Sequence, residues 1–258
     1  MSEGVAMSKG RAVGPVQNAL IRKLSSFISL SPNELDGVAQ LQSKPEKVAA
    51  RSDFAYEGQT GHRAYILQTG WAYCYKMLPE GGRQVITFSL PGDFLGMRSI
   101  LLRTSDQSFA AITDVVVSSI ELHRITRVFK AYPRLGVALL WAAARDEAIA
   151  TEHLVGLGRR SSLERVAHFF LELGERLQLI GLATKTTFEC PLNQYLLGDA
   201  LGLTPIHVNR VLRRLRERGL LTVKDQRVVI DDVKGLKKLA GYDGEYLDQP
   251  SARFDLHT

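Results

Sequence analysis

A chain of 258 residues with 45% hydrophobic and 23% charged side chains has the makeup of a soluble globular protein, with length for one large domain or two modest ones. Thirty-three Lys and Arg against 27 Asp and Glu leave a net charge of +6, which favours an anionic partner without identifying it. Only two cysteines occur, Cys74 and Cys190, far apart and with no CxxC or Cys/His set; this excludes a four-cysteine iron–sulfur cluster and a structural zinc site and suits a reducing compartment.

No stretch of 18 apolar residues is available for a membrane span, and Met1–Gly14 lacks the apolar run of a signal peptide, so a cytoplasmic protein with no membrane partner is expected. Residues 1–14 are small and polar and predict a disordered tail. Leu20, Leu24, Phe27 and Ile28 then recur at helical spacing, and Ser31-Pro32-Asn33-Glu34 forms a capping box opening a second helix through Leu41. From Val48 to Leu122, short β-branched and aromatic runs alternate with turn signals such as Thr69-Gly70, Pro79-Glu80-Gly81-Gly82 and Pro91-Gly92-Asp93, the pattern of an antiparallel sandwich or barrel. Val137, Trp141, Ala144, Ala148, Thr151 and Val155 are spaced alternately four and three residues apart with no Gly or Pro between Val137 and Val155, which predicts a long helix with an apolar seam. Two partners for that seam stay open: its own domain, or a second copy in a parallel coiled coil. Gly156, Gly158, Arg159 and Arg160 are expected to end that helix, and the capping box Ser161-Ser162-Leu163-Glu164 to open another through Leu179. The organisation expected is therefore a sensor unit with N-terminal helices over 15–131, a helix over 132–157, a C-terminal unit over 158–240 and a loose tail over 241–258.

The C-terminal unit carries the chemistry. Asn193 caps a short helix, Gln194–Leu201; Gly202-Leu203-Thr204 makes a three-residue turn; and Pro205 stands first in a helix running to Arg218 and stopping at Gly219. Gly198 at the crossing, Gly202 in the turn, and Val208 and Val211 behind the second helix meet the requirements of a helix-turn-helix. Between Cys190 and Arg227 seven Lys/Arg face three Asp/Glu, an electrostatic footprint for phosphate. Leu220–Val223 and Arg227–Ile230, joined through Lys224-Asp225-Gln226, read as a hairpin, the wing of a winged helix. Chemistry assigns Arg210 to guanine and Asn209 to adenine. His207 suits donation to a base or a phosphate, while Gln194, Thr204, Pro205, Arg213 and Arg214 join the DNA-contacting set, with Gln194 and Arg213 on the backbone. For Ile206 a thymine methyl and simple packing remain equal alternatives.

With Glu80-Gly81-Gly82-Arg83-Gln84, Leu90-Pro91-Gly92-Asp93-Phe94-Leu95-Gly96, the long helix, and Leu201-Gly202-Leu203-Thr204 followed by Val208-Asn209-Arg210-Val211-Leu212, residues 20–235 resemble the CRP/FNR family of bacterial transcription regulators, on its FixK-like branch. The resemblance implies an α+β chain with an N-terminal cyclic-nucleotide-binding-like β-roll, a dimerisation helix, a C-terminal winged helix-turn-helix, and a homodimer on double-stranded palindromic DNA with half-sites about one helical turn apart. RNA polymerase would be a further partner if the protein activates.

Departures from the family bear on its ligand. The positions that hold ribose and phosphate in cyclic-AMP-binding members carry Met97 and Gln107-Ser108, and an uncharged Gln cannot replace a guanidinium clamp; of a Thr-Ser pair on the dimer helix only Thr151 matches. The effector pocket is expected around Met97, Arg98, Gln107, Ser108 and Thr151, without cyclic AMP. No cofactor is expected: the N-terminal cysteine cluster of the oxygen-sensing branch is missing, and haem is left open, with His62, His123 and Met97 as the axial ligands it would use. Cys190 is either an oxidation switch or a buried structural thiol. Ile206 stands where the family commonly has glutamate. A competing function is an effector- or protein-binding module whose helix-turn-helix has lost sequence specificity; an enzyme finds no support, since GxSxG, HExxH and Walker motifs are absent.

Overall fold

A computed structural model describes residues 18–60, 63–102 and 104–247; the predicted tail over 1–14 lies outside them. The chain opens with α1 (Ala19–Ser25), whose Leu20 backbone N–H donates to the Asn18 side chain, and α2 (Pro32–Leu41), where Ser31 and Glu34 exchange both bonds of the capping box. Next come β1 (Glu46–Val48), β2 (Asp53–Ala55), β3 (Ala64–Thr69), β4 (Ala72–Met77), β5 (Arg83–Ser89), β6 (Phe94–Leu95), the short α3 (Met97–Leu101), β7 (Ser108–Ala111) and β8 (Val115–Ile120). They pair as two antiparallel four-stranded sheets, in the orders β1-β8-β3-β6 and β2-β7-β4-β5. Alternate residues of both sheets, among them Leu67, Cys74, Leu95, Phe109 and Val117, meet in the core of this roll.

α4 (Leu122–Ala131) leads into α5 (Pro133–Arg159), followed by α6 (Ser162–Leu179), β9 (Thr187–Glu189), α7 (Gln194–Leu201), α8 (Pro205–Glu217), β10 (Leu221–Lys224), β11 (Arg227–Ile230) and α9 (Val233–Ala240). The last three strands form a sheet in the order β10-β11-β9.

Three expectations need correction. The long helix does not stop at Gly156: α5 continues through Gly158 to Arg159. A helical glycine costs only about 1 kcal/mol, and the last carbonyls are held by guanidinium groups. Arg160 donates to the Glu152 carbonyl at 3.1 Å, and Arg165 donates to those of Leu157 and Arg160 at 3.3 and 3.1 Å. The apolar seam is also rotated. Trp141 stacks on Phe27 of its own N-terminal region, ring centroids 5.0 Å apart, and Val137 and Ala148 are half-buried, whereas Ala144, Thr151 and Val155 are exposed. The edge packed on its own domain runs Leu135, Ala138, Leu139, Ala142, Arg145 and Ile149; the free edge carries Leu140, Ala144, Thr151 and Leu154. A helix with apolar residues on two edges offers one spacing to both, and only docking against the other N-terminal helices, α1, α2 and α4, and the segment after α1 that carries Phe27, chooses between them. Finally, 241–247 is no loose tail: Tyr242 and Leu247 are buried, and the Arg145 Nε donates to the Leu247 carbonyl at 3.1 Å. Residues 248–258 of the expected tail lie outside the described residues.

Candidate nucleic-acid interface and effector cleft

The reading head is built by caps and one tight crossing. The Asn193 carboxamide accepts from the Tyr195 and Leu196 backbone N–H groups at 3.0 Å, starting α7. Gly202 ends it in the left-handed conformation with φ 63°. Thr204 Oγ1 accepts from the His207 N–H at 3.2 Å and, with Pro205 in the first position, starts α8. A Cβ on Gly198 would lie 2.5 Å from the Leu203 carbonyl oxygen, so no side chain fits where the helices meet. Val208, Val211 and Leu215 are buried beneath α8. What remains outward is Ile206, Asn209, Arg210, Arg213 and Arg214, with Arg216 and Arg218 farther along; Gln194 and Thr204 are exposed beside them, and Pro205 is half-buried.

Two details depart from expectation. His207 turns back, its Nε2 3.0 Å from the Ser162 hydroxyl at the start of α6, so its ring is engaged in holding α8 to the domain. Arg213 donates through Nε to Glu217 at 2.7 Å. The exposed ring of Tyr195, next to Gln194, escaped sequence reasoning because an isolated aromatic at a helix start carries no pattern. β10 and β11 pair from Leu221↔Ile230 to Lys224↔Arg227, and the turn is Asp225-Gln226, both at positive φ, a type I′ geometry that puts Lys224 and Arg227 opposite each other at the wing tip.

In the β-roll the five expected effector residues do not converge. Met97 packs against the helical core of α1, α2 and α5; Arg98 pairs with Asp106 at 2.8 Å; Thr151 is exposed on α5 and donates to the Glu147 carbonyl at 3.0 Å. Gln107 Oε1 accepts from the Cys74 thiol at 2.9 Å, and the buried Ser108 Oγ accepts from the Glu57 N–H at 2.9 Å. The cleft of the roll, about 360 Å³, is lined instead by Gln59, Thr60, Arg63, Tyr65, Ser99 and Ser105 over Ala55 and Phe109. Sequence alignment by motif places positions along a strand but not which face they turn to. His123 pairs with Glu121 at 3.0 Å on the surface, apart from Met97 in the core, and His62 lies outside the described residues. Burial pushes both thiols up to about 12, which keeps Cys74 and Cys190 as unreactive thiols and favours the structural alternative for Cys190.

Residues 164–239 match the Crp-like helix-turn-helix domain and residues 45–132 the cyclic nucleotide-binding domain. The transcriptional activatory protein AadR of Rhodopseudomonas palustris is 33% identical over 71% of this chain and 76% of its own length. The nitrogen fixation regulation protein FixK of Bradyrhizobium diazoefficiens is 32% identical over 85% and 91%. The chain belongs to the CRP/FNR family. The solved structure of FixK2 from Bradyrhizobium japonicum superposes with a TM-score of 0.69 at 27% identity, covering 78% of this chain and 98% of that one. The protein is a CRP/FNR-type transcription regulator with a helix-turn-helix DNA-binding domain, not an enzyme, and regulators of this family bind DNA and act as dimers. Among the described residues no helix is long and apolar enough to cross a membrane.

In this CRP/FNR regulator the β-roll and the helix-turn-helix domain are tied together by a buried ionic network that the motifs did not announce. Asp93, in the Pro91-Gly92-Asp93 turn, accepts from Lys23 Nζ of α1 at 2.9 Å and from Arg176 Nη2 of α6 at 3.0 Å. Arg176 also donates to the Phe88 carbonyl at 2.7 Å and lies 3.5 Å from Glu172. Glu172 in turn accepts from His153 of α5 at 3.0 Å and from the Tyr246 hydroxyl at 2.9 Å. A second tie lies nearer the surface: Arg83 at the start of β5 donates twice to Asp199 of α7, at 2.9 and 2.6 Å, while Gln84 donates to the Ala200 carbonyl at 3.3 Å.

These groups give a pH dependence with a definite sign. Burial works to raise the Glu172 pKa, but His153 and Arg176 outweigh it and hold it down to about 2, so its contribution is present above 4.5 and lost as pH falls toward 2. Burial, aided by Arg160, pushes His168 down to about 4, so its contribution is present above 6.5 and lost as pH falls toward 4. His153 is raised, because the Glu172 charge and hydrogen bond outweigh its burial; its contribution is complete below 6.5 and fades only at higher pH. The urea unfolding midpoint is therefore expected to drop steadily from pH 6.5 to pH 4, and His168→Gln to flatten that slope. An unchanged slope in the variant would remove His168 from the account.

Proposed function

We propose that this regulator binds a palindromic operator in double-stranded DNA as a homodimer, with residues 205–218 of each copy in the major groove. The observation that carries this reading is the division of α8: an inner face wholly buried, and an outer face offering Asn209 and Arg210 to solvent along a basic row. Arg210 and Asn209 contact base edges; Gln194, Thr204, Pro205, Arg213 and Arg214 contact the backbone. The two copies meet along the free edge of α5, through Leu140, Ala144, Thr151, Leu154 and Val155, two of whose leucines are 60% and 71% exposed. Leu154→Glu puts like charges opposite each other in that seam and is expected to give a monomer in analytical ultracentrifugation; an unchanged dimer would place the interface elsewhere. The sensor cleft takes neither cyclic AMP nor a resident cofactor. Among the described residues its one basic lining side chain is Arg63, just before β3 and away from the expected clamp position at Gln107-Ser108, which supports a different effector. An activator would add RNA polymerase as a partner.

Selection from random DNA tests the reading directly, with enrichment of a palindrome as the expected result. Arg210→Ala then costs about 1–3 kcal/mol on the selected operator while sparing non-specific, salt-dependent binding. If no sequence is enriched beyond the phosphate contribution, the chain is instead a module that has lost its operator.

A further inference from the structure

We propose that Ile206 is a specificity-determining residue that reads a 5-methyl group in the major groove, and so requires thymine one or two base pairs from the guanine read by Arg210. The inference rests on the DNA-reading role above and deepens it. Sequence alone left Ile206 divided between packing and contact. The structure leaves it 74% exposed, outside the hydrophobic cluster that takes up Val208, Val211 and Leu215. It is therefore not a packing residue of its own chain.

Its position supplies the partner. Ile206 stands one helical turn before Arg210 on the outward face of α8, in the first turn, and the N-terminal end of a recognition helix is the part that meets base edges. Four residues of helix rise about 6 Å, which spans one to two base pairs at 3.4 Å per step. Thr204 and Pro205 fix the start of the helix, and a β-branched side chain within a helix has essentially one χ1 rotamer, so the isoleucine is presented ready-shaped. It has no hydrogen-bonding atom, and the one apolar feature a natural base pair shows in the major groove is the thymine methyl. His207, the next side chain along, is held on Ser162 and offers the groove no competing donor. The same chemistry would be met by 5-methylcytosine, and the test separates the two bases.

The experiment is a scan of the selected operator with the full-length wild-type protein, replacing each thymine in turn by deoxyuridine, symmetrically in both half-sites, and reading affinity by fluorescence anisotropy. Burying one methyl is worth about fourfold, so roughly fifteenfold is expected when both half-sites lose it. That loss should fall at one thymine within two base pairs of the Arg210 guanine and nowhere else. Ile206→Ala should bind the thymine and uracil operators equally, whereas Arg210→Ala should keep the preference for thymine. Cytosine at that position should bind worse than 5-methylcytosine. A flat uracil scan, or an Ile206→Ala variant that still prefers thymine, overturns the inference while leaving the operator reading intact; failure to select any operator would instead overturn the reading on which it rests.

Discussion

Asp93→Ala is expected to lower the unfolding free energy by about 3–5 kcal/mol, the cost of leaving buried cations without their carboxylate. Lys23, 1% exposed, and Arg176, 6% exposed, both point at this one side chain. Burial by itself would keep Asp93 protonated; the two cations reverse that and hold its carboxyl well below the usual carboxylate range. Asp93 Oδ2 also accepts from the Leu90 N–H at 2.9 Å, so alanine orphans a backbone donor as well. Lys23 keeps a second carboxylate, Asp146, at 3.4 Å, which sets the loss toward the lower end of that range. Urea denaturation followed by tryptophan fluorescence measures it. Combining Asp93→Ala with Arg176→Leu should cost less than the sum of the two, since the second change removes a charge already stranded by the first. A loss below 1 kcal/mol for Asp93→Ala, or strict additivity, would mean that the network holds no stability.

Gly198→Val is expected to abolish operator binding, with a loss greater than a hundredfold in electrophoretic mobility shift, while the β-roll stays folded. The Cβ it introduces would sit 2.5 Å from the Leu203 oxygen, and that neighbour is backbone, which cannot rotate away. Leu203 in turn donates its N–H to the Gly198 carbonyl at 3.1 Å, so the turn cannot retreat without losing the bond that closes it. Overpacking of this kind costs about 1–3 kcal/mol; the larger effect is expected on function, because α8 must swing and carry its outward side chains together out of the proposed major-groove position. Operator affinity within threefold of wild type would show that the crossing angle does not control reading.

The parts of this molecule that local chemistry dictates were legible without coordinates. The capping boxes at Ser31 and Ser161, the Asn193 and Thr204 caps and the Gly198–Gly202 turn each involve residues within a few positions of one another, and each forms the bond its spacing implies. The family motifs identified the fold and the class of function. What they carried less well was orientation. Met97, Gln107 and Thr151 share a cleft in a motif alignment, yet one enters the helical core, one accepts from a thiol and one faces solvent. Trp141 lies on the predicted seam and is taken by Phe27, more than a hundred residues away in sequence. His207 lies on the reading helix and is taken by Ser162.

The amino-acid sequence by itself determined a helix-turn-helix whose basic second helix starts at Pro205, because caps, turns and charge act over one or two helical turns and leave their signature in the spacing of residues, and its motifs carried the resemblance to CRP/FNR regulators. Only the tertiary structure decided which edge of α5 is free, where the sensor cleft opens, that Asp93 joins α1, the roll and α6, and that Ile206 has nothing of its own to pack against. Those outcomes depend on how segments from about 40 to more than 100 residues apart dock face to face, which is not encoded in any local pattern.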